Sequence, residues 1–399
     1  MLVHLKVSAW HVPDLSDHLG TFAAVRRLTI TALVAALTIA TQAPALAEPV
    51  VLTGEESRYP HAIRLEHGTQ RGSILLALHG NHVVDVLRAN RGGKKFKKVA
   101  AFVDTASTHA TCCGHLYELP SQVGAMPAGT VLWVGSVGYK EETVKARIWR
   151  SPDAGETWQY LSECARARPQ GGLWEPDLSV DANGRLNCYF ADESDAAHSQ
   201  YIGRTVSVDG VSWSAKEKIV AVEPKGYRPG MAQVKRLPTG SYYMMYEICA
   251  QPNQYFCEAY HRTSPDGVNW GDPAWSGTRP TTRDGKYFAH TPSITLAPNG
   301  TPEGRVILMG QMLMSRNGKV DAGNGRTVFV SENGGRDGWY EVPAPVPVPG
   351  ARDNYCPNYH PAAVASLDGT SLIGFASDFS PNGACQTSWA TGSLPPFPG

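Results

Sequence analysis

One pattern recurs along this chain: Ser-x-Asp-(x)-Gly-x-x-Trp. It reads "SPDAGETW" at 151–158, "SVDGVSW" at 207–213 and "SPDGVNW" at 264–270. A degenerate copy, "SENGGRDGW" at 331–339, has Asn333 in place of the aspartate. Each part has a mechanical use. Ser and Asp side chains bond the backbone amides of a tight turn. Gly accepts a positive φ, and Trp packs back onto a sheet. A recurring unit of this kind means that one piece of supersecondary structure is repeated.

A second signal shares the period. Short apolar strands meet at "HGT" (67–69), "AGT" (128–130), "NGR" (183–185), "TGS" (239–241), "NGT" (299–301) and "DGT" (368–370). The strand entering each turn alternates, as in "DLSV" and "AQVKRL". The strand leaving it is more continuously apolar, as in "VLWVG" and "YYMMY". Six units of roughly 55–70 residues, each of three or four strands, predict an all-β, six-bladed β-propeller. A content of 40 Gly and 29 Pro suits many short strands joined by turns. The sixth unit is short, and "PVVLTG" (49–54) is a spare strand, expected to complete the last blade and close the ring.

Arg26 and Arg27 precede the apolar run "LTITALVAALTIA", and "APALA" ends in small residues at Ala45 and Ala47. That is the layout of a secretory signal. The run is shorter than the ~20 residues that a membrane span needs. Residues 1–47 are therefore read as a leader, 48–399 as one propeller domain, and the protein as secreted and monomeric. Export suits eight cysteines. Cys249 with Cys257, Cys356 with Cys385, and Cys164 with Cys188 are expected pairs. The adjacent Cys112 and Cys113 are not expected to pair with each other, and no spacing resembles a zinc site. With 36 basic and 36 acidic residues there is no excess charge to draw a nucleic acid or an anionic membrane.

In a propeller the innermost strand of each blade begins beside the axis, and the second strand returns to the same face. Residues before the first strand and after the second therefore ring one funnel. The first set contains Tyr59-Pro60, Glu175-Pro176, Arg228-Pro229, His290-Thr291-Pro292 and Tyr359-His360-Pro361. The second contains His79, Asp192-Glu193, Glu247, Gln311 and Asp378. Proline there fixes the entry and forfeits no ladder amide. Two glutamates in neighbouring blades are what glycosidic-bond cleavage requires: one acid/base, and one nucleophile or activator of water. Glu247 follows "YYMMY", so burial should raise its pKa. Trp174, Tyr355 and Tyr359 offer faces for sugar stacking. Tyr59, Arg64, Asp192, Arg228, His290 and His360 complete the expected substrate-binding set. The pattern calls for an oligo- or polysaccharide partner and for no metal or cofactor.

The repeated "SPDAGETW" motif resembles the Asp-box of the sialidase superfamily, over about residues 50–390. Within it, "WEPDLSVDANGRLNCYFADES" and "RPGMAQVKRLPTGSYYMMYEIC" resemble glycoside hydrolase family 93, the exo-α-1,5-L-arabinanases, as do "RYPHAIRL" and "RDNYCPNYHPAAVASLDG". The resemblance implies a six-bladed propeller that releases arabinobiose with retention. It places the two glutamates on Glu175 and Glu247, leaning to Glu175 as nucleophile and Glu247 as acid/base, an order the sequence does not decide. His61 stands where the resemblance leads one to expect arginine. Two other readings stay open. An exo-sialidase would draw on Arg58 or Arg64, Arg228 and Arg352, with a tyrosine nucleophile. A non-catalytic glycan-binding propeller would need no glutamate pair. His109, His115 and His261 read as surface or hydrogen-bonded histidines.

Overall fold

In a computed structural model, which describes residues 48–395 except 81, 106, 108–110, 140, 142 and 252–256, every regular element is a β-strand. The leader and His109 lie outside the described residues. The strands form six antiparallel sheets, one per blade. The inner strands are Arg58–Arg64, Thr111–Glu118, Leu173–Val180, Arg228–Arg236, Ser293–Ala297 and Ala362–Ala365. In blade four a strand at Tyr287–Ala289 pairs with Met312–Met314, which makes that sheet five-stranded. In blade six Val50–Val51 pairs antiparallel with Cys385–Ser393 as the outermost strand.

The apolar core is divided by the blades into a circle of inter-blade layers. Leu132, Val134 and Phe190 lie between blades two and three, Ile202, Val234 and Met244 between three and four, and Ile74, Leu76 and Phe375 between six and one. Burying each such side chain stabilises the ring by about 1.5–3 kcal/mol. The second strand of each blade has neighbouring blades on both sides. That is why "ILLALH" and "VLWVGSV" are buried throughout, while outer strands such as "KKVAAF" are not.

The Ser-x-Asp turns join third to fourth strands. In the first, Ser151 Oγ accepts the Gly155 amide at 2.8 Å and Asp153 accepts that of Thr157 at 2.9 Å. The second and third repeat this: Ser207 accepts Gly210 at 2.7 Å, and Ser264 accepts Gly267 at 2.9 Å. The tryptophans turn inward, and Trp270 is 4 % exposed.

Toward one end of each inner strand stands a left-handed residue that is not glycine: Tyr59 (φ 52°), Cys113 (59°), Glu175 (44°), Met231 (59°), Thr291 (43°) and His360 (52°). In the first four blades it sits in a bulge that shifts the pairing register. A bulge re-aims the side chain it carries. Two residues further on, the repeats read His61, His115, Asp177, Gln233, Ser293 and Ala362. Five of these side chains, all but Ala362, clasp the next blade. His61 Nδ1 accepts the Leu116 amide at 3.0 Å, Asp177 that of Val234 at 2.7 Å, and Gln233 that of Ile294 at 2.9 Å. His115 Nδ1 lies 3.3 Å from Asp177 Oδ1. A buried amide left unpaired would cost about 1–3 kcal/mol, so the axis is polar for a structural reason.

Candidate active site

The bulges of blades one and three and the end of the second strand of blade four aim three groups at one place. Glu175 takes its left-handed turn immediately before Pro176, and its carboxylate accepts the Met231 amide. Glu247 is opposite Gly230 in the register of blade four and is 8 % exposed. Its Oε2 accepts the Thr291 amide at 2.7 Å, and its Oε1 lies 3.4 Å from the Cys249 sulfur. Tyr59 lies flat on His360, ring centres 4.1 Å apart and planes 6° from parallel.

Burial, then the Glu247 charge, then Glu193 push the Glu175 carboxyl up to about 8, against Arg228 and the Met231 amide. Burial pushes Glu247 up to about 7, and Asp353 adds to it while the Thr291 amide opposes. The phenols of Tyr59 and Tyr359 are raised by burial and then by both glutamates, Glu175 first among the carboxylates. Both tyrosines therefore stay protonated beside the two carboxyls, where they can donate to them or to a bound hydroxyl. A like-charged buried pair with raised values holds one proton through neutral pH. The site thus offers one acid and one base together.

Beside the pair opens a cavity of about 390 Å³ lined by Arg58, Tyr59, His79, Thr111, Cys112, Cys113, Tyr139, Tyr355 and Tyr359. Tyr355 is 53 % exposed, with the Arg58 guanidinium 5.5 Å from its ring centre. Trp174 stands at the rim, its ring 6.2 Å from that of Tyr139. His290 has a ring nitrogen within 4.8 Å of Glu247 and of Cys257. That trio has metal-like proximity, but the Cys257 sulfur is bonded to Cys249, leaving two donors.

Of the expected set, Tyr59, Trp174, Glu175, Arg228, Glu247, His290, Tyr355 and Tyr359 gather at this end of the ring. Three residues sit elsewhere. Arg64 lies at the far end of the strand that starts with Arg58 and Tyr59. Its guanidinium donates to the carbonyls of Gly72 (2.7 Å), Arg91 (3.1 Å) and Ala365 (2.8 Å), so it clamps blade one to blade six. It borders a separate cavity with Lys235 and Arg236. Asp192 is fully buried and turned away, accepting from Tyr201 (2.9 Å), Lys216 (2.7 Å) and the Ser194 amide (2.7 Å). Its neighbour Glu193 meets the funnel instead, paired with Arg228. His360 lies beneath the floor, fully buried, with Nε2 3.2 Å from His115 and 3.1 Å from Gln233.

The chain forms four cystines, including the three expected pairs. The fourth corrects the expectation for the adjacent cysteines: Cys112 and Cys113 are bonded to each other. Cys113 is the left-handed residue of its blade, a backbone state the sequence does not announce at a non-glycine position.

No protein-family model matches this chain, and no curated protein does. Solved structures share its fold. The glycoside hydrolase family 93 α-L-arabinofuranosidase of Fusarium graminearum, in complex with arabinobiose, is 22 % identical with a TM-score of 0.73, over 87 % of this chain and 97 % of that one. The α-L-arabinanase of Penicillium chrysogenum, also with arabinobiose, is 22 % identical with a TM-score of 0.71, over 87 % and 98 %. A protein of unknown function from Dyadobacter fermentans is 14 % identical with a TM-score of 0.57. Over nearly nine-tenths of its length, then, this chain has the six-bladed sialidase-like fold of the arabinobiose-bound family 93 structures.

Proposed function

We propose that this protein is a secreted glycoside hydrolase that works from the ends of α-1,5-linked L-arabinan, releases arabinobiose and retains the anomeric configuration. The observation that carries the reading is the pair Glu175 and Glu247: two carboxyls from neighbouring blades, both raised by burial, at one end of the ring and under two protonated tyrosines. The choice of sugar draws on the two arabinobiose complexes that share the fold.

Through neutral pH the pair holds one proton, so one carboxyl is an acid while the other is an ionised nucleophile. In the order to which the resemblance leans, Glu247 protonates the departing glycosidic oxygen while Glu175 attacks the anomeric carbon and forms a glycosyl-enzyme. Water then attacks that carbon, gives its proton to Glu247 and frees Glu175. Arg58 and Arg228 are each paired with a carboxylate, Glu56 and Glu193, which speaks against their use as a clamp for an anionic sugar.

Incubation with linear arabinan and, separately, with sialyllactose tests the reading. Arabinobiose from the first and nothing from the second is the expected outcome. Release of sialic acid, or no product from either, would overturn it.

A further inference from the structure

The Cys112–Cys113 cystine plays no part in the two-glutamate chemistry, yet both of its residues line the cavity beside it. It differs from the other three cystines in two ways. Cys164, Cys188, Cys249, Cys257, Cys356 and Cys385 are all buried, whereas Cys112 and Cys113 are only partly buried. A cystine stabilises a fold mainly by restricting the unfolded chain, and the effect grows with the loop it closes. The cystines at separations 24 and 29 close substantial loops; the one at separation 1 closes almost none. Chain entropy therefore gives no reason for this bond, and its exposure into a cavity gives one.

The pair is also held firmly from behind. The next residue, Gly114, donates its amide to His79 Nε2 at 3.0 Å. A Cβ on Gly114 would lie 2.4 Å from the Trp133 ring, so the backbone rests directly on a fully buried indole. The pair is thus backed by the core and lines the cavity. As a disulfide they carry no proton to donate. They form a small, polarizable, apolar surface fixed in place before any ligand arrives, and such preorganisation is what strengthens binding. Around that surface stand hydrogen-bonding groups: Thr111, Tyr359 and Arg58. An apolar patch ringed by such groups suits a sugar ring that lays its C–H face down and turns its hydroxyls outward. Tyr59 and Tyr359 belong both to this cavity and to the surroundings of the glutamates. A saccharide cleaved at the glutamates therefore has its neighbouring residue within reach of the cystine.

We infer that the Cys112–Cys113 disulfide is the platform for a pentofuranosyl ring in the subsite adjoining the glutamate pair. The inference rests on the arabinan-hydrolase reading for the identity of the sugar. The test compares the wild-type chain with Cys112→Ser/Cys113→Ser and with Cys112→Ala/Cys113→Gly. The second variant lets glycine hold the left-handed position, in case the first does not fold. Steady-state hydrolysis of linear arabino-oligosaccharides and calorimetric titration with arabinobiose are measured for each folded protein. KM and Kd are expected to rise on the order of tenfold in the variants, with kcat falling by less than about threefold. A folded variant whose KM and Kd match the wild type overturns the inference and leaves the hydrolase reading intact. A wild type that binds arabinobiose without cleaving arabinan overturns the hydrolase reading, and the Kd ratio then decides the platform alone. A wild type that neither binds nor cleaves overturns both.

Discussion

The two ends of the inner strands place the same backbone conformation in different hands. At the hairpin end every blade has a left-handed glycine: Gly68, Gly129, Gly184, Gly240, Gly300 and Gly369. Toward the funnel end every blade uses a residue with a Cβ in that conformation: Tyr59, Cys113, Glu175, Met231, Thr291 and His360. Glycine adopts this conformation freely, whereas a residue with a Cβ gives up about 1–2 kcal/mol to do so. Where the turn serves only to reverse the chain, the sequence uses the unstrained solution. Where a side chain must be aimed across the axis, it accepts the strain. Strain concentrated at one end of a ring is a mark of a working surface, and it coincides here with the glutamate pair.

The sharpest way to break this contrast is to remove the chemistry while keeping the shape. Glu247→Gln should lower kcat/KM on arabino-oligosaccharides by about 10²–10⁴-fold, as loss of a general acid does. Glu175→Ala should be at least as damaging, with azide restoring turnover and giving a glycosyl azide inverted relative to the substrate. If instead the azide from Glu247→Ala is inverted relative to the substrate and that from Glu175→Ala keeps the substrate's configuration, the two roles are exchanged. In the wild type, kcat/KM should fall below about pH 7, where the pair gains its second proton, and above about pH 8, where it loses its last. Glu247→Gln should abolish the alkaline limb.

Next comes stability. A carboxyl raised in the folded state stabilises the fold below its unfolded pKa, and that contribution is lost as pH rises through the folded value. For Glu247 the window runs from the ordinary carboxylate range to about 7. Glu247→Gln should therefore melt at a higher temperature than wild type at pH 8, by a few degrees. The gap should close by pH 4 in a scanning-calorimetry series.

The smallest effects belong to the hairpin end. Gly184 has open space around a Cβ and a φ of 76°. Gly184→Ala should cost about 1 kcal/mol of stability and leave kcat and KM unchanged. Arg64→Ala should likewise lower the melting temperature slightly without altering KM, since its bonds are all to backbone carbonyls between blades.

Much of this was legible from the residues. The six glycine turns are local signals, because glycine is the usual answer to a left-handed backbone, and every one of them is left-handed. The gathering of Tyr59, Glu175, Arg228 and Tyr359 follows from repeat position alone. Arg64 lies outside the site although it shares a strand with Arg58 and Tyr59. At about 3.3 Å per residue, six steps along a strand move a side chain roughly 20 Å. Asp192 and Glu193 point to different sides of the chain, and only the second meets Arg228. The axial clasps of His61, Asp177 and Gln233 were readable and missed: in the aligned repeats, that column is polar in five of six positions. The histidine at 61, unexpected beside family 93 sequences, has this use. Nothing in the sequence marks Cys113 as left-handed, so the adjacent cystine could not be anticipated.

The seam between the two ends of the propeller carries a consequence for how such a molecule is made. Val50 and Val51 pair with Trp389 and Ser388, and the Ser57 hydroxyl accepts the Thr387 amide. Partners separated by more than three hundred positions must meet before the circle exists. An emerging polypeptide cannot complete its closing sheet until Cys385–Ser393 has been made, and until then blade one waits with an uncovered flank. Truncating a few residues near Thr387 should thus be far more harmful to assembly than a comparable trim at an exposed hairpin.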